Sequence, residues 1–419
     1  MGDRGGEGDG GAGAIGRIIS MVLADNNKLM AQMTMFDEIE SVGQENEDDV
    51  IVNLADFQQA VIWGTDWTTD TIVNQLNKGN IDLDPKFQRR EAWTPPRKSR
   101  FIESLILGLP IPQIILAERK DKKGTYIVID GKQRLISIRQ FFSKLHDEEF
   151  PRLKLTGLNS LSILNQLSFI DLEGNPVLED YATAIENQTI RTIVIRNWPN
   201  EEFLYNVFLR LNTGSLPLAP QELRQALHPG KFIDFADEFS IQSNQIQKIL
   251  NIKKPDYRMR DVELVIRYFA FKYYAEEYTG NLKNFFDTTV KKLNKSWKKR
   301  ENEIENHAQD LNSAIDFTYA IWDKNAFRKW KDGKYQGRFN RAVFDIMVYY
   351  FSDHAVRSAV EDYTKIESKF RDLCKDDVEF LNSFETSTKN LQPTNKRYAT
   401  WGQALREVTN YDVIIPKID

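Results

Sequence analysis

A chain of 419 residues, with 41% hydrophobic and 28% charged side chains, is long enough for two or three globular domains with sizeable cores. Its net charge of -5 excludes a generally basic surface, so any nucleic-acid contact must come from a local patch. The single cysteine, Cys374, excludes an intrachain disulfide and a thiolate zinc cluster, and His146, His228, His307 and His354 lack zinc-site spacing. No apolar run reaches the roughly 18 residues that span a bilayer. The apolar stretch from Ala14 to Ala24 is short, is broken by Arg17 and follows acidic residues, which argues against a secretory signal. The expectation is a cytoplasmic protein.

Seven of the first thirteen residues are glycine, and every charge from Asp37 to Asp49 is negative, so residues 1–49 read as a disordered, solvated segment. Folded structure is expected from about Val50. Thr68 to Asn77 predicts a short helix, and Asn80 to Pro85 a strand. The next segment, Lys86-Phe87-Gln88-Arg89-Arg90-Glu91-Ala92-Trp93, sets Lys86, Arg89, Arg90 and Arg97 around an aromatic pair. Pro95-Pro96 is a helix start signal. The apolar spacing of Phe101, Ile102, Leu105 and Ile106 predicts a helix over 97–107 that stops at Gly108. Gln113 to Ala117 and Tyr126 to Ile129 then read as two strands of a hairpin.

The hairpin leads to Asp130-Gly131-Lys132-Gln133-Arg134, where an apolar β-branched run turns into a segment with helical spacing. A strand turning sharply into a helix offers free N–H groups and the positive end of the helix dipole to an anion. Gly131 permits close approach to the backbone, Lys132 and Arg134 add positive charge, Gln133 an amide, and Asp130 a carboxylate for a metal, a water or an arginine. The same string also fits an ordinary capped turn with two solvated basic residues.

Beyond Phe142 the signals are weaker and predict short strands and turns up to Gln188. Thr189 to Ile195 is a strand, β-branched everywhere except Arg191. Glu201 to Leu211 is helical and runs into Asn212-Thr213-Gly214, and a further helix with Gln221, Glu222, Arg224 and Gln225 starts at Pro220. From Lys231 onward the periodicity is almost wholly helical. Six cations surround Trp297 between Lys291 and Arg300, a solvated helix face in the plain reading and a single-stranded nucleic-acid platform in the other.

In order, Phe87-Gln88-Arg89 with Trp93, the Ile106 to Pro112 turn, Asp130 to Arg134, Phe208-x-Arg210-Leu211-Asn212 and Glu222-Leu223-Arg224 resemble successive motifs of the ParB/sulfiredoxin-like N-terminal domain of GmrSD-type modification-dependent restriction enzymes. Arg258-Met259-Arg260-Asp261-x-Glu263 resembles the segment that follows it. The resemblance implies an α+β chain: residues 50–228 as a ParB/sulfiredoxin-like nucleotide-binding domain and 229–419 as an α-helical domain. It implies hydrolysis of GTP, CTP or UTP in a bacterial anti-phage system that regulates DNA recognition or cleavage. Lys132 departs from the family, which usually has Gln there. Residues 355–419 contain no histidine, so an HNH nuclease half is not expected and a separate nuclease partner would supply cleavage.

The expected site therefore uses backbone N–H groups at Gly131 and Lys132, with Arg134, for the phosphates. Gln88 and Arg89 approach from one side, and Arg210 and Asn212 from the other. Gln133 and Arg134 join the catalytic set, Asp130 orients a Mg²⁺ ion or the attacking water, and Glu222 is the second candidate for that role. Rival readings are a DNA-binding module without hydrolysis, a nuclease using Asp130 and Glu222, and an inert interaction scaffold. Nucleotide, DNA, a nuclease subunit and a second copy of the chain are the partners considered.

Overall fold

A computed structural model of the chain describes residues 59–83, 90, 92–143, 147, 150–211, 219–385 and 390–418. The glycine-rich and acidic N-terminal segment, Gln88, Arg89 and Asn212 lie outside the described residues. Strands β1 (Val61–Thr68), β2 (Ile114–Glu118), β3 (Tyr126–Asp130) and β4 (Thr189–Arg196) form one four-stranded sheet in the order β1-β4-β2-β3. β2 and β3 are the expected antiparallel hairpin, β2 runs parallel to β4, and β1 pairs antiparallel with β4 from Val61↔Arg196 to Thr68↔Thr189.

Along β3, Tyr126 and Val128 enter one core while Ile127 and Ile129 enter another. Both faces of the sheet are therefore covered, which is why this strand reads as an unbroken apolar run instead of an alternation. Helices α1 (Thr69–Asn77), α2 (Pro95–Ile106), α3 (Lys132–Phe141), α4 (Phe169–Glu173) and α5 (Glu179–Asn187) cover the first face with Ile72, Phe101, Leu105, Leu135, Leu172 and Ile185. Helices α6 (Glu201–Leu211) and α7 (Pro220–Leu227) cover the second with Phe203, Leu204, Phe208 and Leu223. The fold is α+β, as expected.

Local chemistry sets the element ends. Thr68 caps α1 by accepting from Thr71 N at 3.2 Å, and the two prolines of α2 occupy positions where no helical N–H is required. Three expectations change. The strand over 80–85 reduces, among described residues, to one parallel bridge between Ile81 and Tyr126. The region after Phe142 is not strands and turns: it holds α4, α5 and a 3₁₀ turn at Ser162–Leu164. Ser168 and Asp171 close a capping box on α4, with Ser168 N donating to Asp171 Oδ2 at 2.8 Å, and Leu178, Ala182 and Ile185 give α5 a buried stripe. Strand β1 was not expected at all.

The described residues fall into two compact units, 59–312 and 313–418. The first continues with α8 (Lys231–Gln242), α9 (Asn244–Leu250), α10 (Arg260–Tyr274) and α11 (Leu282–Trp322) as far as Asn312. Trp297 of α11 is 8% exposed and packs on Phe235 at 5.3 Å between ring centroids, so it is a core residue and not a stacking platform for bases. The second unit is helical: α12 (Arg341–Phe351), α13 (His354–Ser358), α14 (Tyr363–Asp376), α15 (Val378–Asn382) and α16 (Leu391–Thr409). Its centre is Trp401, fully buried against Phe370, Phe351 and Trp322. A small hairpin, Trp330–Lys331 with Lys334–Tyr335, interrupts the helices there. Its turn residues Asp332 and Gly333 have φ of 53° and 75°, the double positive φ that a two-residue hairpin turn requires. Among the described residues no helix is long and apolar enough to cross a membrane.

Candidate functional site: a charged strand–helix corner

The corner follows from the run that makes β3. Its last residue, Asp130, is followed by Gly131 at φ 100° and ψ 10°, and α3 begins at Lys132. Only glycine adopts that conformation without strain. The first helical hydrogen bond runs from Leu135 N to Gly131 O at 2.9 Å, so the amides of Lys132, Gln133 and Arg134 precede it at the positive end of the helix.

Two cations at this helix start each meet a carboxylate. Arg134 Nη2 donates to Asp130 Oδ2 at 2.8 Å and to Gln113 O at 2.9 Å. Lys132 Nζ donates to Glu222 Oε1 at 2.8 Å, while Glu222 Oε2 accepts from Ala219 N at 2.7 Å and so holds the first turn of α7. The pairs differ in depth. The Lys132 and Glu222 side chains are both 8% exposed; that of Arg134 is 6% and that of Asp130 24% exposed. Asp130 thus forms the open side. Arg134 Nε is buried and has no hydrogen-bond partner among the described residues.

Gly131 leaves the space beside that atom free of a side chain. A Cβ there would lie 3.1 Å from Ile114 Cγ1, 3.3 Å from Arg134 Nη2 and 3.4 Å from Arg134 Nε. Gly131→Ala is therefore expected to lower stability by about 1–3 kcal/mol through backbone strain and to displace the guanidinium. Thermal unfolding checks this; an unchanged midpoint would contradict the strain argument.

The remaining candidates divide. Gln133 faces α2, its Oε1 accepting from Trp93 N at 3.2 Å. Trp93 in turn lies under the Arg97 guanidinium at 4.9 Å and edge-on to Phe101. Arg210 bonds within its own helix, Nε to Asn206 Oδ1 at 3.0 Å. The structure thus brings together Asp130, Gly131, Lys132, Arg134 and Glu222, gives Gln133 a stitching contact, and leaves Arg210 on the exposed end of α6. Tyr257 belongs near Glu222: burial first, and this carboxylate among its neighbours, push its hydroxyl up.

Two features escaped sequence reasoning. Arg90, grouped there with Lys86, Arg89 and Arg97 around an aromatic pair, is 2% exposed. Its Nε donates to Asp237 Oδ1 at 2.9 Å, Nη1 to both oxygens of Asp261 at 2.7 and 2.9 Å and to Asp256 O at 2.7 Å, and Nη2 to Ser240 Oγ at 3.0 Å. It anchors α8 and α10 around itself. The second feature is one face of α7, where Gln221, Gln225 and His228 recur at helical spacing. Among the described residues the Gln221 Nε2, Gln225 Nε2 and Oε1, and His228 Nε2 atoms are buried without hydrogen-bond partners, His228 Nε2 lying 3.6 Å from Glu201 Oε2 and 3.9 Å from Asp287 Oδ2. Beside them Asp287 accepts from Arg224 Nε at 2.7 Å and Lys283 Nζ at 2.9 Å. Burial opposes its charge, but Arg224, His228 and Lys283 hold the carboxyl well below the usual range. The only sequence signal was polar residues repeating on an otherwise core-facing helix.

A metal at the corner must be one that tolerates few protein ligands. Among the described residues no three His, Cys, Asp or Glu side chains are grouped to hold an ion. Mg²⁺ meets that condition, since one or two carboxylates with phosphate oxygens and water complete its octahedron. Asp130 fits the role: Oδ1 takes no hydrogen bond among the described residues, and the side chain reaches solvent.

These features define an α+β domain whose sheet delivers a strand–glycine–helix corner with paired charges. Residues 70–229 match the family described as GmrSD restriction endonuclease, N-terminal domain. Over that segment the chain is similar to the GmrSD N-terminal-domain family. The match starts in α1 and ends just past α7, so it takes in the whole corner. No curated protein and no solved structure gives a significant match.

Proposed function

We propose that the corner binds a nucleoside triphosphate with Mg²⁺ and hydrolyses it, and that the chain is the nucleotide-dependent component of a GmrSD-like anti-phage restriction system, governing DNA recognition or cleavage by a partner nuclease. The observation that carries this reading is Arg134 Nε, buried and unpartnered beside the bare Cα of Gly131 at the start of α3. A buried guanidinium N–H without an acceptor is costly, and a phosphate oxygen is the acceptor its charge and planar geometry favour.

In this reading the amides of α3 and the Lys132 and Arg134 side chains hold the phosphates. When Mg²⁺ is bound it neutralises phosphate charge next to Asp130. Water attacks the terminal phosphorus, the bridging oxygen leaves with the nucleoside diphosphate, and Arg134 stabilises the charge that gathers on the transferring oxygens. Asp130 orients the attacking water and Glu222 stands behind Lys132. Gln133 keeps the helix start in place through Trp93.

The burial of the two cations argues against the simpler DNA-binding reading. Lys132 and Arg134 side chains only 8% and 6% exposed are out of reach of a duplex backbone, which needs cations standing clear of the surface.

Phosphate release from GTP, CTP, UTP and ATP with Mg²⁺, with and without DNA, tests the proposal on the wild type and Asp130→Ala side by side. Turnover selective for one base and lost in the variant is the expected result. Equal rates in both proteins would remove Asp130 from the mechanism, and no turnover in either would remove hydrolysis.

A further inference from the structure

Resting on the nucleotide reading of the corner, we propose that the corner accepts only metal-chelated phosphate. Its two ion pairs exchange partners when phosphate and Mg²⁺ enter together, and neither ligand binds well alone. The argument is one of charge in a buried place. Lys132–Glu222 and Arg134–Asp130 are both 2.8 Å pairs, so among the described residues each of these two cations already faces a carboxylate. The corner is not a ready-made anion hole.

A bare phosphate that draws Lys132 from Glu222 leaves a carboxylate 8% exposed with its cation gone. Uncompensated buried charges of this kind weaken an equilibrium by on the order of 10²–10³-fold. Glu222 retains only the Ala219 amide in that state. A bare cation that draws Asp130 from Arg134 leaves the guanidinium in the same position, with Nε already unpartnered and Nη2 reduced to the Gln113 carbonyl. When both ligands arrive, Lys132 and Arg134 turn to phosphate oxygens while the carboxylates face positive charge. Every charge then keeps a partner, and the penalty that each ligand meets alone disappears. By linkage the coupling is reciprocal: phosphate tightens Mg²⁺ as much as Mg²⁺ tightens phosphate.

The two pairs hold different parts of the device. The Arg134–Asp130 pair spans four residues of one corner, and its carboxylate is the more exposed, so it exchanges first. The Lys132–Glu222 pair joins α3 to the first turn of α7, and its exchange loosens Glu222 from the cation that fixes it. Glu222 is thereby a residue that sets ligand class, acting through Lys132.

Binding of inorganic triphosphate by calorimetry, with Mg²⁺ and with EDTA, is the test, on wild type, Glu222→Gln and Asp130→Asn. Both substitutions keep the shape and one acceptor oxygen while removing the charge, and if one fails to fold the other still decides. Chelation of the probe in solution is common to all three proteins, so differences between them report on the corner. The expected result is wild-type binding at least about 100-fold tighter with Mg²⁺ than with EDTA, and metal-free binding at least about tenfold tighter in each variant than in wild type. Wild-type binding equally tight in EDTA would overturn the coupling and leave the phosphate site standing. A Mg²⁺ dependence unchanged in both variants would also overturn it, because the carboxylates would not be its cause. Absence of binding under either condition would overturn the nucleotide reading itself.

Discussion

Arg90→Ala is expected to destabilise the first unit by about 3–5 kcal/mol. The guanidinium uses all three nitrogens on groups from two helices: Asp237 and Ser240 on α8, and Asp261 on α10, with the Asp256 carbonyl just before it. Its removal takes the Arg90 charge away from two carboxylates, each about 1% exposed. Arg90→Lys is expected to rescue little, because a single ammonium cannot reproduce a planar fork that serves five acceptor atoms. The deficit also depends on pH. Burial raises the Asp261 pKa even in the presence of Arg90, which lowers it, so removing Arg90 raises it further. A carboxylate whose folded pKa lies above its unfolded one binds more protons in the native state, and stability then falls as pH rises through that range. The Arg90→Ala deficit should accordingly be smaller at pH 5 than at pH 8. Urea unfolding at both pH values measures it; a midpoint equal to wild type at pH 8 would show the knot to be dispensable.

Arg90 also shows where reading the chain by pattern stops. Its local context, a run of cations beside aromatics, carries no sign of burial. Its partners Asp237 and Asp261 are 147 and 171 residues away and sit on helices whose apolar stripes dominate the pattern. Lys132 and Glu222 are 90 residues apart, so both were recognised as polar groups of interest while their mutual pairing was not. The corner itself was legible, because a β-branched run, a glycine and a helical apolar spacing are adjacent in sequence and each is fixed by short-range sterics.

Strand β1 was hidden for the opposite reason. It is an edge strand interrupted by Gly64 and Asp66, with Ile62 and Trp63 more than half exposed, so it shows neither a buried run nor a clean alternation. Only its eight-residue pairing with β4 defines it. Helices α4 and α5 were missed because they are short, and their start signals, a Ser–Asp box and a Leu-Ala-Ile stripe, are weak against a background rich in Leu and Asn.

Arg134→Ala is expected to lower nucleotide turnover by about 10²-fold or more, the loss that follows removal of a preorganised transition-state charge partner. The substitution also removes the bonds to Asp130 and Gln113, so a stability cost of about 1–3 kcal/mol accompanies it, and rates must be compared on protein shown to be folded. Kinetics separate the two roles. A residue that only braces the corner changes the folded fraction and leaves kcat per folded molecule intact, whereas a residue that meets charge developing on the phosphoryl group lowers kcat itself. Arg134→Lys sharpens the distinction: it keeps a positive charge near Asp130 but has no counterpart of Nε, the one guanidinium nitrogen that is buried and unpartnered beside Gly131. If Nε is the atom that receives the phosphate, Arg134→Lys stays close to the alanine variant in kcat while recovering stability. A lysine variant with wild-type turnover would reduce Arg134 to a point charge, and the unpartnered Nε would then have no part in the chemistry.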